Sequence, residues 1–201
     1  WYEDEAVCRL WWFGVYALAS STRSGKSPPH LQGIWTQYDC PPWHSDFHFN
    51  ANIQMAHWVA CPSNHPELQE ALLDALLVKW RERLRENASV VYGARGVAFP
   101  LCADWLGRAL GWGYLSVALS MTAWMAEHLW WQWLYTRNLP LLKDRIFPFL
   151  RECVQFYFDV LVERDDGLFH VAVSQSPEQV AWRKDDGEVY IGLGSDPAID
   201  L

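Results

Sequence analysis

Apolar residues recur along most of the chain at the spacing of an α-helix. Four segments place apolar side chains every three or four positions, and they span residues 3–20, 64–87, 115–135 and 139–162. The third segment is apolar on most sides, which predicts that it is buried. Residues 50–60 can form a further, shorter helix that Pro62 ends.

Turn-forming residues separate these segments. Ser63 or Asn64 is expected to cap the second helix, with Pro66 in its first turn. Pro148 is expected to kink or split the fourth helix, and residues 168–173 alternate weakly, which predicts a short strand. Long helices joined by extended loops predict an all-α array. The periodicity is compatible with both a toroid of helical hairpins and a bundle.

Composition places the chain among globular proteins. Its 201 residues suffice for one domain with a core, and 51% are hydrophobic against 20% charged. The net charge of −8 without a basic stripe argues against nucleic acid or an anionic membrane as partner. The apolar stretch over residues 109–126 is interrupted by glycine and serine, so it does not predict a membrane span.

Two residue types are used unusually. Fourteen tryptophans indicate either a large aromatic core or a groove that stacks on carbohydrate rings. Five widely spaced cysteines without a CxxC pair predict mostly buried thiols and not a disulfide framework. No signal-peptide pattern is visible, so the compartment stays open. Both ends look cut within helical patterns, which predicts a piece of a longer protein.

Aromatic, amide and imidazole side chains concentrate in residues 31–58. Amides suit sugar hydroxyls as hydrogen-bond partners, and aromatic rings suit the C–H faces of sugars. Cys40, His44 and His48 are spaced four apart and could suggest zinc. Because Pro41 and Pro42 make a continuous helix unfavourable there and no second ligand pair follows, we predict no metal and no cofactor.

The same stretch resembles the catalytic domain of glycoside hydrolase family 95, the α-L-fucosidases. It contains Leu-Gln-Gly-Ile-Trp at residues 31–35, Pro-Pro-Trp at 41–43 and Asn-Ala-Asn at 50–52. Gly-Ala-Arg-Gly at 93–96, Asp104, His-Leu-Trp at 128–130 and Ser-Gln-Ser-Pro-Glu at 174–178 continue the resemblance in order. It implies an (α/α)6 barrel with the site at one end, of which residues 1–201 are a fragment truncated at both ends.

The resemblance also implies inverting hydrolysis of a glycosidic bond in an oligosaccharide or glycan. An inverting enzyme needs an acid for the leaving oxygen and a group that activates water on the opposite face. Glu178 matches the family's general acid, and Asn50 and Asn52 match the two asparagines that hold the water. The family's aspartate that works beside these amides has no matching position in this sequence. The further substrate-binding candidates are Trp35, Trp43, His57, Trp58, Asp104 and His128.

Each candidate also has a structural interpretation. Asparagines cap helices, a glutamate after proline can lie on a surface turn, and tryptophans can pack loops over helices. A histidine on an apolar helix is by default a buried one with its hydrogen bonds satisfied, and Asp104 can anchor a loop.

Departures from the family pattern keep a second function class open. Pro100-Leu101 stand where the family has two histidines, and Gln179 replaces an asparagine. These changes leave the reaction class better supported than fucose as the substrate. The alternative is a non-catalytic carbohydrate-binding protein, a decayed toroid. Because an incomplete barrel exposes apolar helix faces, we expect residues 1–201 alone to be poorly soluble.

Overall fold

Helices account for most of the computed structural model, which describes residues 4–111, 117–175, 181–183, 189–191 and 193–196. The helix bounds are α1 Glu5–Ser21, α2 Asn52–His57, α3 Glu70–Asp74, α4 Arg81–Tyr92, α5 Ser120–Thr136, α6 Leu139–Leu141 and α7 Phe147–Val160. This helical content agrees with the predicted all-α class, whereas the barrel arrangement stays a prediction.

The first helix forms where the periodicity predicts it. The Asp4 carboxylate accepts hydrogen bonds from the backbone N–H groups of Ala6 at 3.0 Å and Val7 at 3.3 Å. These bonds satisfy two of the four N–H groups that a helix start leaves unpaired, and the negative charge suits the positive end of the helix dipole.

The second predicted helix begins differently from its expected form. It opens as a 3₁₀ turn over Pro66–Gln69, preceded by His65 and without a side-chain cap. Neither Ser63 nor Asn64 caps it, and Asn64 has a left-handed φ of 61°. The segment then runs through α3 and a π-helical turn at Ala75–Lys79 into α4.

The predicted end of that helix near Asn87 is wrong. The Asn87 side chain is buried and donates a hydrogen bond to the Ala98 carbonyl at 3.0 Å. With this partner the asparagine does not compete for its own backbone, and α4 continues to Tyr92. Gly93 then ends it with a φ of 63°, a conformation that glycine adopts at little cost.

The start of α5 is also displaced from the predicted one. The helix begins at Ser120 and not at residue 115, although residues 112–116 lie outside the described ones. The Leu119 N–H donates to the Ser174 hydroxyl at 3.2 Å, and the Leu119 carbonyl accepts from the Tyr157 hydroxyl at 2.7 Å. These tertiary hydrogen bonds fix Leu119 in the turn that precedes α5.

The fourth predicted helix is not split at Pro148, but it changes locally from α to π just before the proline. A π-helical turn at Leu142–Ile146 precedes α7, and the proline, which has no N–H to donate, lies in the first turn of α7. The predicted helix end at residue 162 is wrong, because Leu161–Glu163 form strand β3. It pairs antiparallel with β4, Phe169–Val171, inside the predicted strand at 168–173.

The remaining strands form two-stranded antiparallel pairs. They are β1 Phe47–His48 with β2 Cys102–Ala103, β5 Ser174–Gln175 with β8 Leu193–Gly194, and β6 Ala181–Arg183 with β7 Val189–Ile191. Pairs this short cannot form a layer of their own, so they serve to tie loops to the helical core.

An aromatic chain forms the centre of the core. Phe47 contacts Trp80 at 4.8 Å between ring centroids, Phe49 contacts Phe99 at 5.1 Å, and Phe99 contacts Phe149 at 6.4 Å. The first pair is tilted and the other two are edge-to-face, and edge-to-face pairs at these distances are favourable beyond their burial. The chain joins the loop before α2 to α4 and α7, so the loop is held by the core.

Burial in the core does not account for the many tryptophans. Among the tryptophans whose burial the structure describes, only Trp80 is buried, whereas Trp12, Trp43 and Trp105 are 58%, 57% and 70% exposed. Cys61, Cys102 and Cys153 are buried, as predicted for most of the cysteines. No helix among the described residues is long and apolar enough to cross a membrane.

The Gly-Ala-Arg-Gly segment joins α4 to α7. Gly96 has a φ of +80°, and a Cβ there would overlap the Glu152 carbonyl and lie 2.9 Å from the Phe156 nitrogen. Arg95 binds the Asp159 carboxylate through its backbone N–H at 2.8 Å and through two guanidinium nitrogens at 2.9 and 2.6 Å. Arg95 therefore ties this segment to the end of α7.

Candidate active site

The turn that carries the two asparagines is fixed from both sides. On one side β1 pairs with β2, and the Phe49 N–H donates to the Leu101 carbonyl at 2.9 Å. On the other side the buried Gln54 amide donates to the Phe49 carbonyl. These bonds hold the backbone between Phe49 and Gln54, so the positions of Asn50 and Asn52 are set by the core.

The two asparagines lie in different environments. Asn50 is half-buried, and its Oδ1 is buried without a hydrogen-bond partner among the described residues. Asn52 is exposed at the first position of α2. The residue at the cap position is Ala51, and no side chain caps the helix. Capping therefore does not account for either amide in this structure.

Asn52 opens onto a cavity of about 480 Å³. The Leu31 loop, β1, α2 and one side of α1 form its walls. Trp35, His30, His48 and Met55 line it together with Asn52. Two of the predicted site residues, Asn52 and Trp35, are thus brought to one cavity of a size that suits a small ligand.

Trp35 reaches this cavity because Gly33 allows a sharp turn. Gly33 has a φ of +70°, and a Cβ there would lie 2.8 Å from the Trp35 ring. The glycine therefore lets the indole fold back against its own loop. The residue is 54% exposed, so part of it is accessible to a ligand.

Trp43 and Trp58 do not line this cavity. Trp43 lies in the 3₁₀ turn Pro42–Ser45 with a left-handed φ of 49° and is 57% exposed. Trp58 follows the end of α2 and is 40% exposed. Both rings are accessible, and neither is packed into the core.

The structure places His57 and His128 behind the cavity wall. Both side chains are wholly buried, and neither lines the cavity. His57 Nδ1 lies 2.8 Å from the Ile53 carbonyl oxygen. Burial lowers the pKa of His57 to about 4, and burial with the nearby His57 lowers the pKa of His128 to about 3. Both imidazoles are therefore neutral at pH 7.

Asp104 is engaged with its own loop. Its Oδ1 accepts from the N–H groups of Leu106 and Arg108, both at 2.9 Å, and Oδ2 pairs with the Arg108 guanidinium at 2.7 Å. Partial burial acts to raise the pKa of Asp104, but these hydrogen bonds outweigh it and hold the pKa below its usual value. In this structure the carboxylate anchors the loop.

Glu178 lies outside the described residues. The described chain stops at Gln175 in β5 and resumes at Ala181 in β6. The separation of roughly 6–10 Å expected for an inverting pair, between its carboxyl and the two asparagine amides, stays a prediction.

Sequence reasoning missed three polar residues of this region as sugar-site candidates. His30 and His48 line the cavity, and burial lowers the pKa of His30. Asp46 is 8% exposed, and burial raises its pKa against the opposing effect of His48 and His44. The alternation Phe47-His48-Phe49 could have identified His48, because a strand with apolar residues facing the core turns the intervening one away.

The arrangement suits a polyhydroxylated ligand. Amide and imidazole groups supply donors and acceptors, and Trp35 supplies an apolar face. An asparagine oxygen can orient a water molecule but is a poor base, so a carboxyl group must complete the chemistry. Within the described ranges no three His, Cys, Asp or Glu side chains are placed to hold a metal ion.

Comparison with known proteins assigns the chain to a family. The model of the "Glycosyl hydrolase family 95 catalytic domain" matches residues 3–199. "Alpha-L-fucosidase 2" of Arabidopsis thaliana is 36% identical over 177 residues, which are 85% of this chain and 20% of that protein. "Probable alpha-fucosidase A" of Aspergillus niger is 30% identical over 182 residues, 83% of this chain and 22% of that protein. The chain thus spans about a fifth of the length of these relatives, and it belongs to glycosyl hydrolase family 95.

Proposed function

We propose that this chain forms part of the catalytic domain of an inverting glycoside hydrolase that removes an α-L-fucosyl or related hexosyl group from a glycan. Glu178 acts as the general acid, and Asn50 and Asn52 position the attacking water. The proposal rests on family membership and on the names of the two relatives, both fucosidases.

One structural observation carries the proposal further. Asn52 and Trp35 share a cavity of about 480 Å³, and Asn50 beside it keeps a buried Oδ1 without a partner among the described residues. A buried acceptor without a partner costs free energy, about 1–3 kcal/mol. A bound water that donates to this oxygen removes the cost and is held at the start of α2.

The division of roles follows from the chemistry of inversion. The acid gives its proton to the leaving oxygen while water attacks the opposite face of the sugar, so the two groups lie on opposite sides of the anomeric carbon. Amides orient the water without taking its proton. In this scheme the base is a carboxylate outside residues 1–201, and the helices of this chain form part of an (α/α)6 barrel.

The general acid is tested by Glu178→Gln in the full-length protein. Because glutamine cannot donate the proton, kcat on fucosylated oligosaccharides is expected to fall by about two to four orders of magnitude, with sugar binding retained in calorimetry. Glu163→Gln, at an exposed position in β3, is the matched control and should keep the wild-type rate. A wild-type kcat in Glu178→Gln would refute the assignment.

Inversion itself is tested by proton NMR of the first product. An α-linked substrate should release the β-anomer initially, with the α-anomer appearing only by mutarotation. Asn52→Ala should slow this step and leave the product anomer unchanged, because water still attacks from the same face. Initial release of the α-anomer would contradict the inverting mechanism.

A non-catalytic carbohydrate-binding role is the second candidate. Pro100 and Leu101, which stand where the family pattern has histidines, are buried, and the Leu101 carbonyl supports Phe49. These positions offer no polar side chain to a sugar. Sugar binding by the complete wild-type protein without any turnover would favour this second function.

A further inference from the structure

Two buried histidines lie on α2 and α5, which pack against each other. His57 on α2 and His128 on α5 are both 0% exposed. The 2.8 Å contact of His57 Nδ1 with the Ile53 carbonyl requires a hydrogen on Nδ1, so Nε2 is an acceptor. His57 Nε2 and both ring nitrogens of His128 have no hydrogen-bond partner among the described residues.

Polar groups also meet one helical turn further along each segment. The Cys61 thiol, four residues after His57, lies 4.0 Å from Gln132 Oε1, four residues after His128. The Gln69 amide donates to the Cys61 sulfur at 2.9 Å. The turn that follows α2 therefore lies against α5 through buried polar groups, in addition to apolar packing.

No described carboxylate compensates a charge on either ring. The pKa of His57 is shifted by burial and by the Ile53 carbonyl, and the pKa of His128 is shifted by burial and by His57. The titratable groups on the elements around α2 and α5 are paired with other groups, are at least partly exposed, or, as for the buried Asp46 and Cys153, do not contribute to the pKa shift of either imidazole. Near α2 they are Asp46 and His48 at β1 and the His65–Glu67 pair before α3. Near α5 they are Arg145 of the π turn, which binds Asp74, and Cys153 and Glu152 on α7, of which Glu152 binds Arg81 and Arg85. On α5 itself Glu127 is exposed.

We propose that the buried pair His57 and His128 is an acid-sensitive switch: α2 stays packed against α5 while both imidazoles are neutral and is released when they are protonated. A charged imidazole without a partner is unstable in the buried position, because desolvation favours the neutral form. Since Asn52 begins α2, release would also displace the proposed water-holding group, and this last consequence rests on the proposed function.

The direction with pH follows from proton linkage. In the released state each imidazole is solvated and has an ordinary pKa near 6.5, above its value in the buried state. Release therefore takes up protons and is favoured as pH falls below about 6.5. Between pH 7.5 and 5.0 the release equilibrium should rise about 30-fold for each imidazole and on the order of a thousandfold for both.

Hydrogen–deuterium exchange of the full-length protein tests the proposal without any need for activity. After correction for intrinsic exchange rates, amides of α2 should lose protection between pH 7.5 and 5.0. Amides of α4, a helix without histidine, serve as the internal reference. His128→Leu should reduce the pH-dependent loss in α2 by about 30-fold. His65→Leu, at a histidine with a partly exposed side chain, is the matched control and should not change it.

Two outcomes would overturn the switch. One is an equal change of protection in α2 and α4, which the wild-type protein alone reveals if a variant fails to fold. The other is an unchanged pH dependence in both His128→Leu and His57→Leu. Glycosidase turnover is measured separately. Release of α2 with unchanged turnover at pH 5.0 would refute the coupling to Asn52. A protein without turnover can still show the switch.

Discussion

Two helices of equal length are covered very differently. α1 and α5 each contain 17 residues, and both are rich in apolar and aromatic side chains. α1 buries only Val15, Leu18 and Ser21, while Leu10, Phe13 and Tyr16 are 71%, 65% and 66% exposed. α5 buries seven positions, and these include the polar groups of His128 and Gln132.

The difference shows that apolar composition does not fix burial. α5 packs against α2, the turn before α3 and α7, so even some of its polar side chains, such as His128 and Gln132, are enclosed. α1 contacts the chain on one side, and its other side presents a contiguous apolar face. That face supports the prediction that residues 1–201 alone are poorly soluble, because such patches promote association.

Truncating one apolar side chain in each helix should show the difference in burial between the two helices most clearly. Met125→Ala in α5, where the side chain is 0% exposed, is expected to lower the free energy of unfolding by about 2–5 kcal/mol through lost burial and a cavity. Leu10→Ala in α1 should change it by less than about 0.5 kcal/mol. Urea unfolding of the full-length protein measures both, and similar losses would show that α1 is covered there.

Glycine replacement tests the same contrast at the backbone. Gly96→Ala forces a Cβ against Glu152 at a φ of +80° and should cost on the order of 2–4 kcal/mol. Gly14→Ala on α1, where no atom lies within 4 Å of the added Cβ, should stabilise the helix by about 0.5–1 kcal/mol. Thermal unfolding of the two variants gives the signs, and a stabilising Gly96→Ala would contradict the observed α4–α7 approach.

The smallest effect should come from a histidine at the periphery. Asp196 at 2.7 Å and Asp166 at 3.0 Å raise the pKa of His170, the opposite of the shift in His128. The pairing contributes its full stabilisation of the folded state below pH 6.5, and this contribution is lost as the pH rises through the raised pKa of His170. His170→Gln should therefore lower Tm slightly at pH 5.5 and not at pH 9, whereas an equal loss at both values would exclude an ionic role.

Local sequence patterns predicted the helices better than their ends. α1 lies where the apolar spacing places it, and the last helix changes from α to π just before Pro148, because a proline removes a backbone donor. The end of α4 at Tyr92 and the start of α5 at Ser120 were not predictable, since the hydrogen bonds of Asn87 and Leu119 go to residues distant in sequence, Ala98 and Ser174.

The candidate site divides in the same way. The aromatic and amide residues of 31–58 indicated a sugar site, and the resemblance named Asn50 and Asn52. The pairing of β1 with β2 aims His48 into the cavity beside Asn52, and no local pattern shows that pairing. His57 and His128 lie behind the wall for the same reason: two helices far apart in sequence enclose them.

The sequence by itself determined the helical class and the family and named the residues proposed to carry the chemistry, because periodicity and motifs are properties of neighbouring residues. Only the tertiary structure decided that Asn52 and Trp35 share one cavity, that Asp104 binds its own loop, and that two imidazoles are enclosed between α2 and α5. Burial and hydrogen bonding between distant segments depend on how the helices pack, and packing is a property of the whole fold.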